Sequence, residues 1–262
     1  MPQEKLLNKN LDLLAQNFNP DLPSLMTNTT VEGLSFCTSQ HNEINLVQEK
    51  GNEKNYFYSQ KSCHEEACEW FSTLDLKKTG VLIVYGIGLG HYYDVIKPWL
   101  ENNPENYLAF IEDDIGVLHR LLETEKGTLL LKDPQIIIHY IDDLADLSDQ
   151  LNPLLWFFAL LEAEISALSY YKKEKSKKYK EIRYFLESRS ARLNSIIEEE
   201  MRYGISFFRN FYCNALTANK SFRGSHFFGK FRNVPAIICG SGPSLKKNLP
   251  FLKNLSNKAL II

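Results

Sequence analysis

The strongest constraint on the fold is an alternation of short apolar runs with helical segments in residues 78–145. The segment GVLIVYGIGLGHYYDVIKPWLENN combines an apolar run, a glycine turn and a helical pattern. The apolar run NYLAFIEDD precedes the helical segment IGVLHRLLETEK, and the third apolar run, PQIIIHYIDD, ends in acidic residues as the second does. Apolar runs of this length are typical of strands that are buried on both faces of a sheet. The order strand–helix–strand–helix–strand predicts a parallel sheet with right-handed crossovers, and therefore a Rossmann-like α/β domain.

The segments before this pattern predict an N-terminal extension. Apolar residues recur at helical spacing over residues 3–18, and loosely alternating residues on both sides of Gly51 and Asn52 predict a β-hairpin. Ser62, with Glu65 three residues later, is typical of a helix N-terminus. We assign residues 1–150 to one Rossmann-like domain with this extension.

The segments after this pattern predict a helical linker and a second α/β unit. Residues 151–228 contain no strand pattern, and six of them form an apolar stripe at helical spacing: Ile182, Phe185, Leu186, Leu193, Ile196 and Ile197. Residues 234–262, VPAIICGSGPSLKKNLPFLKNLSNKALII, predict a strand, a glycine turn, a helix and the start of another strand. We therefore assign residues 151–230 to a helical linker and residues 231–262 to the beginning of a second α/β domain.

Composition narrows the functional classes. The formal net charge is −2 and the apolar fraction is 44%, values that favour a globular protein and give no global basic field for nucleic acid. Five cysteines without a regular spacing argue against a disulfide scaffold and favour a reducing cytoplasm. The sequence MPQEKLLNKNLDLLAQNF has no apolar signal region, and PLLWFFALLEAEISAL is too short and too polar to span a bilayer. We expect a cytoplasmic protein with neither nucleic acid nor membrane as a partner.

The first glycine turn is a candidate nucleotide site. Gly86, Gly88 and Gly90 lie between a strand and a helix, and Glu112 lies at the tip of the next strand. Glycines allow close approach of a ligand, the helix start attracts anions, and an acid at the next strand tip accepts hydrogen bonds from a ribose. The G-x-G-x-G spacing is closer to the methyltransferase form than to the dinucleotide form. Two alternatives stay open: a second nucleotide site, such as one for S-adenosylmethionine, and a purely structural turn.

Other polar and charged residues of the chain can be explained by structural roles alone. His91 is either a site residue or a capping residue, and acids also lie at the strand tips without a predicted ligand: Asp113, Asp114, Asp142 and Asp143. Seven basic residues of the run YYKKEKSKKYKEIRYF are expected on a solvated helix face: Lys172, Lys173, Lys175, Lys177, Lys178, Lys180 and Arg183. His64 and Cys68 lack a second ligand pair, so we predict no metal site.

The second glycine turn has the chemistry of a phosphate site. Gly240 and Gly242 flank Ser241, Pro243 suits the first position of a helix, and Ser244 adds a hydroxyl. Glycine backbone, a helix N-terminus and a serine hydroxyl together can bind an anionic oxygen.

The sequence PAIICGSGPSLKKNLPFL resembles the G-x-G-P-S-L motif of the motility accessory factor (Maf) flagellin glycosyltransferases. The same motif class resembles those of bacterial sialyltransferases and archaeal pterin diphosphokinase-like proteins. The upstream VLIVYGIGLGHYYDVI and YLAFIEDD are also similar to the Maf N-terminal domain, so the resemblance covers residues 30–262 in matching order.

The resemblance implies transfer of a nonulosonic acid, pseudaminic or legionaminic, from its CMP ester to Ser or Thr of flagellin. It implies nucleotide contacts by Gly240, Ser241, Gly242, Pro243 and Ser244, with flagellin or its chaperone as partner and no required cofactor. Sialyltransferases often carry Asn where this chain has Ser241, which has a shorter reach. The family's transferase domain extends well beyond this motif, so we expect an N-terminal portion that is inactive alone, and no catalytic residue is assigned. The alternative is a non-catalytic module that docks flagellin or a chaperone.

Overall fold

A computed structural model describes residues 2–27, 31, 33–142, 146–220, 224–255 and 258–262. The chain forms two compact units, Met1–Ile197 and Glu198–Ile262. The helices of the first unit are α1 (Pro2–Asn17), α2 (Leu22–Thr27), α3 (Cys63–Ser72), α4 (His91–Asn102), α5 (Ile115–Leu122), α6 (Glu125–Lys132), α7 (Leu147–Phe157) and α8 (Ser169–Glu174). Its strands are β1 (Leu34–Thr38), β2 (Ile44–Lys50), β3 (Glu53–Tyr56), β4 (Val81–Tyr85), β5 (Tyr107–Glu112), β6 (Ile136–Tyr140) and β7 (Ala163–Ala167). Helix α9 (Ser176–Thr217) begins in the first unit and ends in the second.

A parallel sheet with the strand order β6-β5-β4-β7 is the centre of the first unit. All five residues of β4 are buried, and so are residues 108–112 of β5, because helices cover both faces of these central strands. The prediction of a Rossmann-like α/β fold is confirmed. Since the chain leaves β4 toward β5 on one side and returns as β7 on the other, the strand order reverses between β4 and β7, where such folds bind ligands.

Strand β7 corrects the prediction that residues 151–228 contain no strand. Its residues Ala163–Ala167 pair in parallel with β4, from Val81 opposite Ala163 to Tyr85 opposite Ala167. The sequence AEISA has weak strand propensity and follows the apolar helix α7, so local pattern concealed it. Pairing with a fully buried strand supplies the stabilisation that the local sequence lacks.

The N-terminal extension packs as predicted, with one additional strand. Strands β2 and β3 form an antiparallel hairpin through Gly51, whose φ of +62° favours glycine, and β1 pairs with the other edge of β2. The predicted cap of α3 is confirmed, since Ser62 Oγ accepts a hydrogen bond from the Glu65 amide at 3.1 Å.

Helix α9 buries part of the predicted apolar stripe. Ile182, Leu186 and Leu193 are buried, whereas Ile196 is largely exposed. The amphipathic pattern was therefore correct for the first half of the helix, where α9 belongs to the first unit.

The second unit contains the end of α9, two short 3₁₀ turns, β8 (Ala236–Ile237), α10 (Pro243–Lys253) and β9 (Leu260–Ile261). Strands β8 and β9 pair in parallel, with Ala236 opposite Leu260. The predicted order of strand, glycine turn, helix and strand is confirmed in this segment.

Candidate functional site

The first glycine turn has the backbone conformation that makes glycine necessary. Gly86, Gly88 and Gly90 have φ angles of +93°, +52° and +76°, values that other residues adopt only with strain. The Gly86 amide donates to Ile111 O at 2.8 Å, which ties the start of the turn to β5. These glycines therefore serve the backbone path between β4 and α4.

The space beside the first turn is filled by the protein's own side chains. A Cβ on Gly86 would lie 2.5 Å from the ring of Tyr171, and one on Gly90 would lie 2.7 Å from Leu130. A Cβ on Gly88 would collide with the Tyr58 hydroxyl, which donates to Ile87 O at 3.3 Å and accepts from the Leu89 amide at 3.0 Å. The side chains of Tyr58 and Tyr171 therefore lie directly against this turn.

Glu112 faces this turn and is inaccessible to solvent. Its carboxylate accepts hydrogen bonds from the amides of Ile87 at 2.9 Å, Asp113 at 3.0 Å and Asp114 at 3.0 Å, and from the Tyr171 hydroxyl at 2.5 Å. Burial, and then the charge of Asp113, raises the pKa of Glu112 to about 7. With both oxygens engaged inside the protein, this acid offers nothing to a ribose, so the geometry argues for the structural alternative and against S-adenosylmethionine at this turn.

The contacts of Asp113 correct the prediction that all basic residues of the run YYKKEKSKKYKEIRYF lie on a solvated helix face. Its side chain, only 2% exposed, accepts from Lys175 Nζ and Lys178 Nζ, each at 2.6 Å, and from the Tyr85 hydroxyl at 2.7 Å. Burial by itself would raise the pKa of Asp113. The charge of Lys175 and the hydrogen bonds from Lys175, Lys178 and Tyr85 have the larger combined effect, so the pKa is lowered. The two lysines hold the start of α9 at the carboxyl end of β5, and their ammonium groups are paired with Asp113.

A cleft of about 570 Å³ lies beside these lysines, at the carboxyl ends of β5 and β6. Its wall includes the Gln150 side chain, which accepts from the Asp142 amide at 2.5 Å and donates to Asp142 O at 2.9 Å. Asp143, the other acid predicted at this strand tip, lies outside the described residues.

His91 has a structural role in this geometry. It is 8% exposed, and its Nε2 lies 2.7 Å from Ile44 O while its Nδ1 lies 3.3 Å from Lys126 Nζ. These partners assign the proton to Nε2, which donates to the carbonyl, so that Nδ1 accepts from the lysine. Burial and the charge of Lys126 lower the pKa of His91, and the neutral ring links α4 to the hairpin sheet.

The second glycine turn is open where the first is filled. Gly240 and residues 241–244 are exposed, and a Cβ on Gly240 would meet nothing within 4 Å. A Cβ on Gly242 would approach only the Ser244 hydroxyl, at 3.9 Å. The described part of the chain therefore gives no steric reason for glycine at these two positions.

The start of α10 leaves backbone donors available beside this open space. Gly242 is the N-cap, no side chain caps the helix, and Pro243 occupies the first turn. The Leu245 amide donates to Gly242 O at 3.0 Å, but within the described ranges no hydrogen bond is made by the amides of Gly240, Ser241, Gly242 and Ser244. Such consecutive free amides at a helix start suit an anionic oxygen.

The described residues contain neither a cluster of potential metal ligands nor a helix that could span a membrane. Among them, no three His, Cys, Asp or Glu side chains are grouped so that they could hold an ion. His64 Nε2 lies 3.5 Å from Cys68 Sγ on an exposed helix face. Within the same residues, no helix has both the length and the apolar character needed to cross a bilayer.

The family model that matches this chain covers most of the second unit. Residues 206–262 match the family model described as 6-hydroxymethylpterin diphosphokinase MptE-like. This match includes the open glycine turn and α10, but none of the Rossmann-like sheet, and it does not single out the Maf proteins.

No curated protein matches the chain. Among solved structures, MnmC2 from Aquifex aeolicus is similar at 14% identity and a TM-score of 0.28, over 51% of this chain and 50% of that one. The chain therefore spans half of the length of that protein.

The sequence located both turns but missed the groups that distinguish them. Tyr58 and Tyr171 lie far along the chain from Gly86 and Gly88, and nothing in their local sequence indicates that they fill the first turn. One difference between the two turns is visible in the sequence. Pro243 and Ser244 follow the second turn, and proline favours the first turn of a helix, whereas the first glycine turn is followed by His91.

Proposed function

We propose that the turn from Gly240 to Ser244 binds the phosphate of a nucleotide donor in a transferase. The observation that carries this proposal is the open space at Gly240 and Gly242 beside the free amides at the start of α10. Since no packing contact of the protein requires glycine there, close approach by a ligand is the physical reason for the residue type.

The donor that we propose is a CMP-nonulosonic acid, and the reaction is the Maf-type transfer of the sugar to Ser or Thr of flagellin. The amides of Gly242 and Ser244 would donate to the non-bridging phosphate oxygens, with the Ser241 and Ser244 hydroxyls beside them. A helix N-terminus stabilises a negative charge by roughly 0.3–1 kcal/mol when exposed, so several amides must act together. The similarity of the motif to that of sialyltransferases, which also hold a CMP-sugar, supports this choice.

A second candidate is diphosphate transfer to a pterin, because the matched family model carries that description over residues 206–262. Both candidates place a phosphate group at the same turn, and they differ in the nucleotide that carries it. In either case we propose that the first unit serves as a scaffold, and the non-catalytic alternative assigns it the docking of flagellin or its chaperone.

Isothermal titration of the 262-residue chain with CMP, ATP and S-adenosylhomocysteine separates these candidates. We expect CMP to bind, and Gly242→Val to weaken binding at least tenfold by filling the open space. Gly224→Val is the matched control, since a Cβ there also meets nothing within 4 Å, and circular dichroism verifies that each variant folds.

Each outcome of this titration has a definite meaning. Binding of ATP in preference to CMP, lost in Gly242→Val, would replace the glycosyltransferase with the diphosphokinase candidate. Binding of S-adenosylhomocysteine alone, equal losses in the two valine variants, or no binding of any of the three ligands would refute the phosphate turn.

A further inference from the structure

The charge of the chain is divided sharply along its length. Residues 201–262, called here the basic segment, contain ten lysines and arginines and neither aspartate nor glutamate, so the preceding 200 residues carry a formal charge of −12 against −2 for the whole chain. Such an asymmetry between parts of one chain indicates a partner of opposite charge for the basic part.

The part of α9 that lies in the basic segment carries an exposed apolar stripe. Five side chains recur at intervals of four, three, four and four residues: Met201, Ile205, Phe208, Tyr212 and Leu216. They are 76%, 89%, 64%, 54% and 78% exposed. This spacing places them on one helix face, and Arg202 and Arg209 lie at its margin.

A second group of exposed aromatic rings follows in the same segment. Phe227, Phe228 and Phe231 are exposed by 45%, 86% and 42%, and Lys230 and Arg232 lie between and beside them. Aromatic rings next to basic side chains are typical of surfaces that enter the headgroup layer of a membrane.

We propose that the basic segment binds the surface of an anionic lipid bilayer, with the apolar stripe inserted at the level of the headgroups. An interfacial helix needs an apolar face to bury and cations to meet anionic headgroups, and the segment supplies both. The occupant must cover aliphatic as well as aromatic side chains, which a single-stranded nucleic acid does not do because bases stack on rings. A second copy would cover the stripe but would bring two segments of like charge together.

This surface binding is compatible with the observations from which no membrane partner was expected. That expectation was based on a whole-chain charge near zero and on the lack of a spanning helix. Neither observation concerns a helix that lies on a membrane, and the average charge hides the division between the two parts of the chain.

Co-sedimentation of the 262-residue chain with vesicles tests the proposal. We expect binding to phosphatidylcholine vesicles that contain 30% phosphatidylglycerol, little binding to pure phosphatidylcholine, and weaker binding in 0.5 M NaCl. Ile205→Asp should reduce the partition coefficient about tenfold or more, because it removes an apolar side chain that the headgroup layer would bury and adds a negative charge. Asn210→Asp adds the same charge on the opposite helix face and should reduce it less than threefold.

The same proteins distinguish the other occupants of the stripe. Sedimentation velocity would reveal a dimer that Ile205→Asp dissociates, and a fluorescent oligouridine would reveal nucleic-acid binding. A dimer or an oligouridine complex without binding to anionic vesicles would overturn the proposal. Equal binding to neutral and anionic vesicles, or equal effects of the two aspartate variants, would also overturn it.

Discussion

The hydroxyl of Tyr171 donates a hydrogen bond to Oε1 of Glu112 at 2.5 Å, and the ring of the same tyrosine covers Gly86. This relationship closes the position between β4 and β7 at which a Rossmann-like sheet ordinarily binds its ligand. Glu112, the acid expected to meet a ribose, instead accepts a hydrogen bond from the Ile87 amide within the turn. Its hydrogen bond from Tyr171 also holds the tyrosine ring over Gly86. This geometry favours the structural alternative for the first glycine turn.

Replacing Gly86 with alanine tests whether Tyr171 fills the turn. Gly86→Ala introduces a Cβ at a φ of +93° and 2.5 Å from the tyrosine ring, so we expect it to lower the free energy of unfolding by about 3–5 kcal/mol. Gly51→Ala is the control, since Gly51 has a φ of +62° but nothing within 4 Å, and it should cost about 1 kcal/mol. Urea unfolding measures both, and equal costs would mean that the ring yields freely.

The raised pKa of Glu112 predicts a specific pH dependence. Burial, followed by the charge of Asp113, raises this pKa from 4.5 to about 7, so between these values the folded chain holds a proton that the unfolded chain has lost. The contribution of Glu112 to the free energy of unfolding therefore falls as the pH rises through this window.

Glu112→Gln removes this dependence because glutamine does not ionise. The free energy of unfolding of the wild type minus that of the variant should decrease by about 1–3 kcal/mol between pH 5 and pH 8. Glu125→Gln, at an exposed position, supplies the control in the same urea titrations. A difference that stays constant with pH would contradict the assignment of the shift to Glu112.

Glu43 predicts the opposite sign at lower pH. Burial tends to raise its pKa, but hydrogen bonds from the Cys63 and His64 amides and from the Ser39 and Ser62 hydroxyls outweigh it and lower the pKa to about 2. Glu43 thus stabilises the fold above its unfolded pKa of 4.5, and this contribution is lost as the pH falls toward about 2.

Glu43→Gln should lower the free energy of unfolding by about 1–2 kcal/mol at pH 7, because the start of α3 loses a charged acceptor. The loss should shrink near pH 3, as measured by denaturant unfolding at both values. Glu53→Gln, exposed on β3, is the control, and an equal effect of the two variants at pH 7 would exclude the capping role.

The edge strand β7 is fixed by a buried side-chain pair that a double-mutant cycle can measure. Trp70 Nε1 donates to Ser166 Oγ at 2.8 Å, and the two residues are 5% and 4% exposed. Ser166→Ala leaves the indole N–H without this partner and should cost about 1–2 kcal/mol. With Trp70→Phe in the background the cost should fall below about 0.5 kcal/mol, and additive effects would mean that the bond contributes nothing.

The sequence predicted those parts of the fold that are determined locally. The segments GVLIVY, NYLAFIEDD and PQIIIHYIDD were predicted as strands, and each contains one strand of the sheet. Ser62 marks the start of α3 by a local hydrogen bond. Strand β7 was missed because its stability comes from pairing with β4, in which Val81 lies opposite Ala163, 82 positions later in the chain.

The candidate site was predictable only in part, for the same reason. Glycines identify a turn, but whether the turn is open depends on side chains that fold against it from elsewhere, such as Tyr58 and Tyr171 at the first turn. The net charge of −2 gave no indication of the basic segment, because it is the sum of an acidic part, residues 1–200, and a part whose charged side chains are all basic, residues 201–262. The charge summed over the whole chain does not show that residues 201–262 lack acidic side chains.

The most direct test of the account is an amide NMR titration of the 262-residue chain with CMP. We predict that the amide signals of Gly240, Ser241, Gly242 and Ser244 shift together on addition of CMP, while those of Gly86, Gly88 and Gly90 stay in place. Shifts confined to the three glycines of the first turn, or no shifts at the second turn at millimolar CMP, would contradict it.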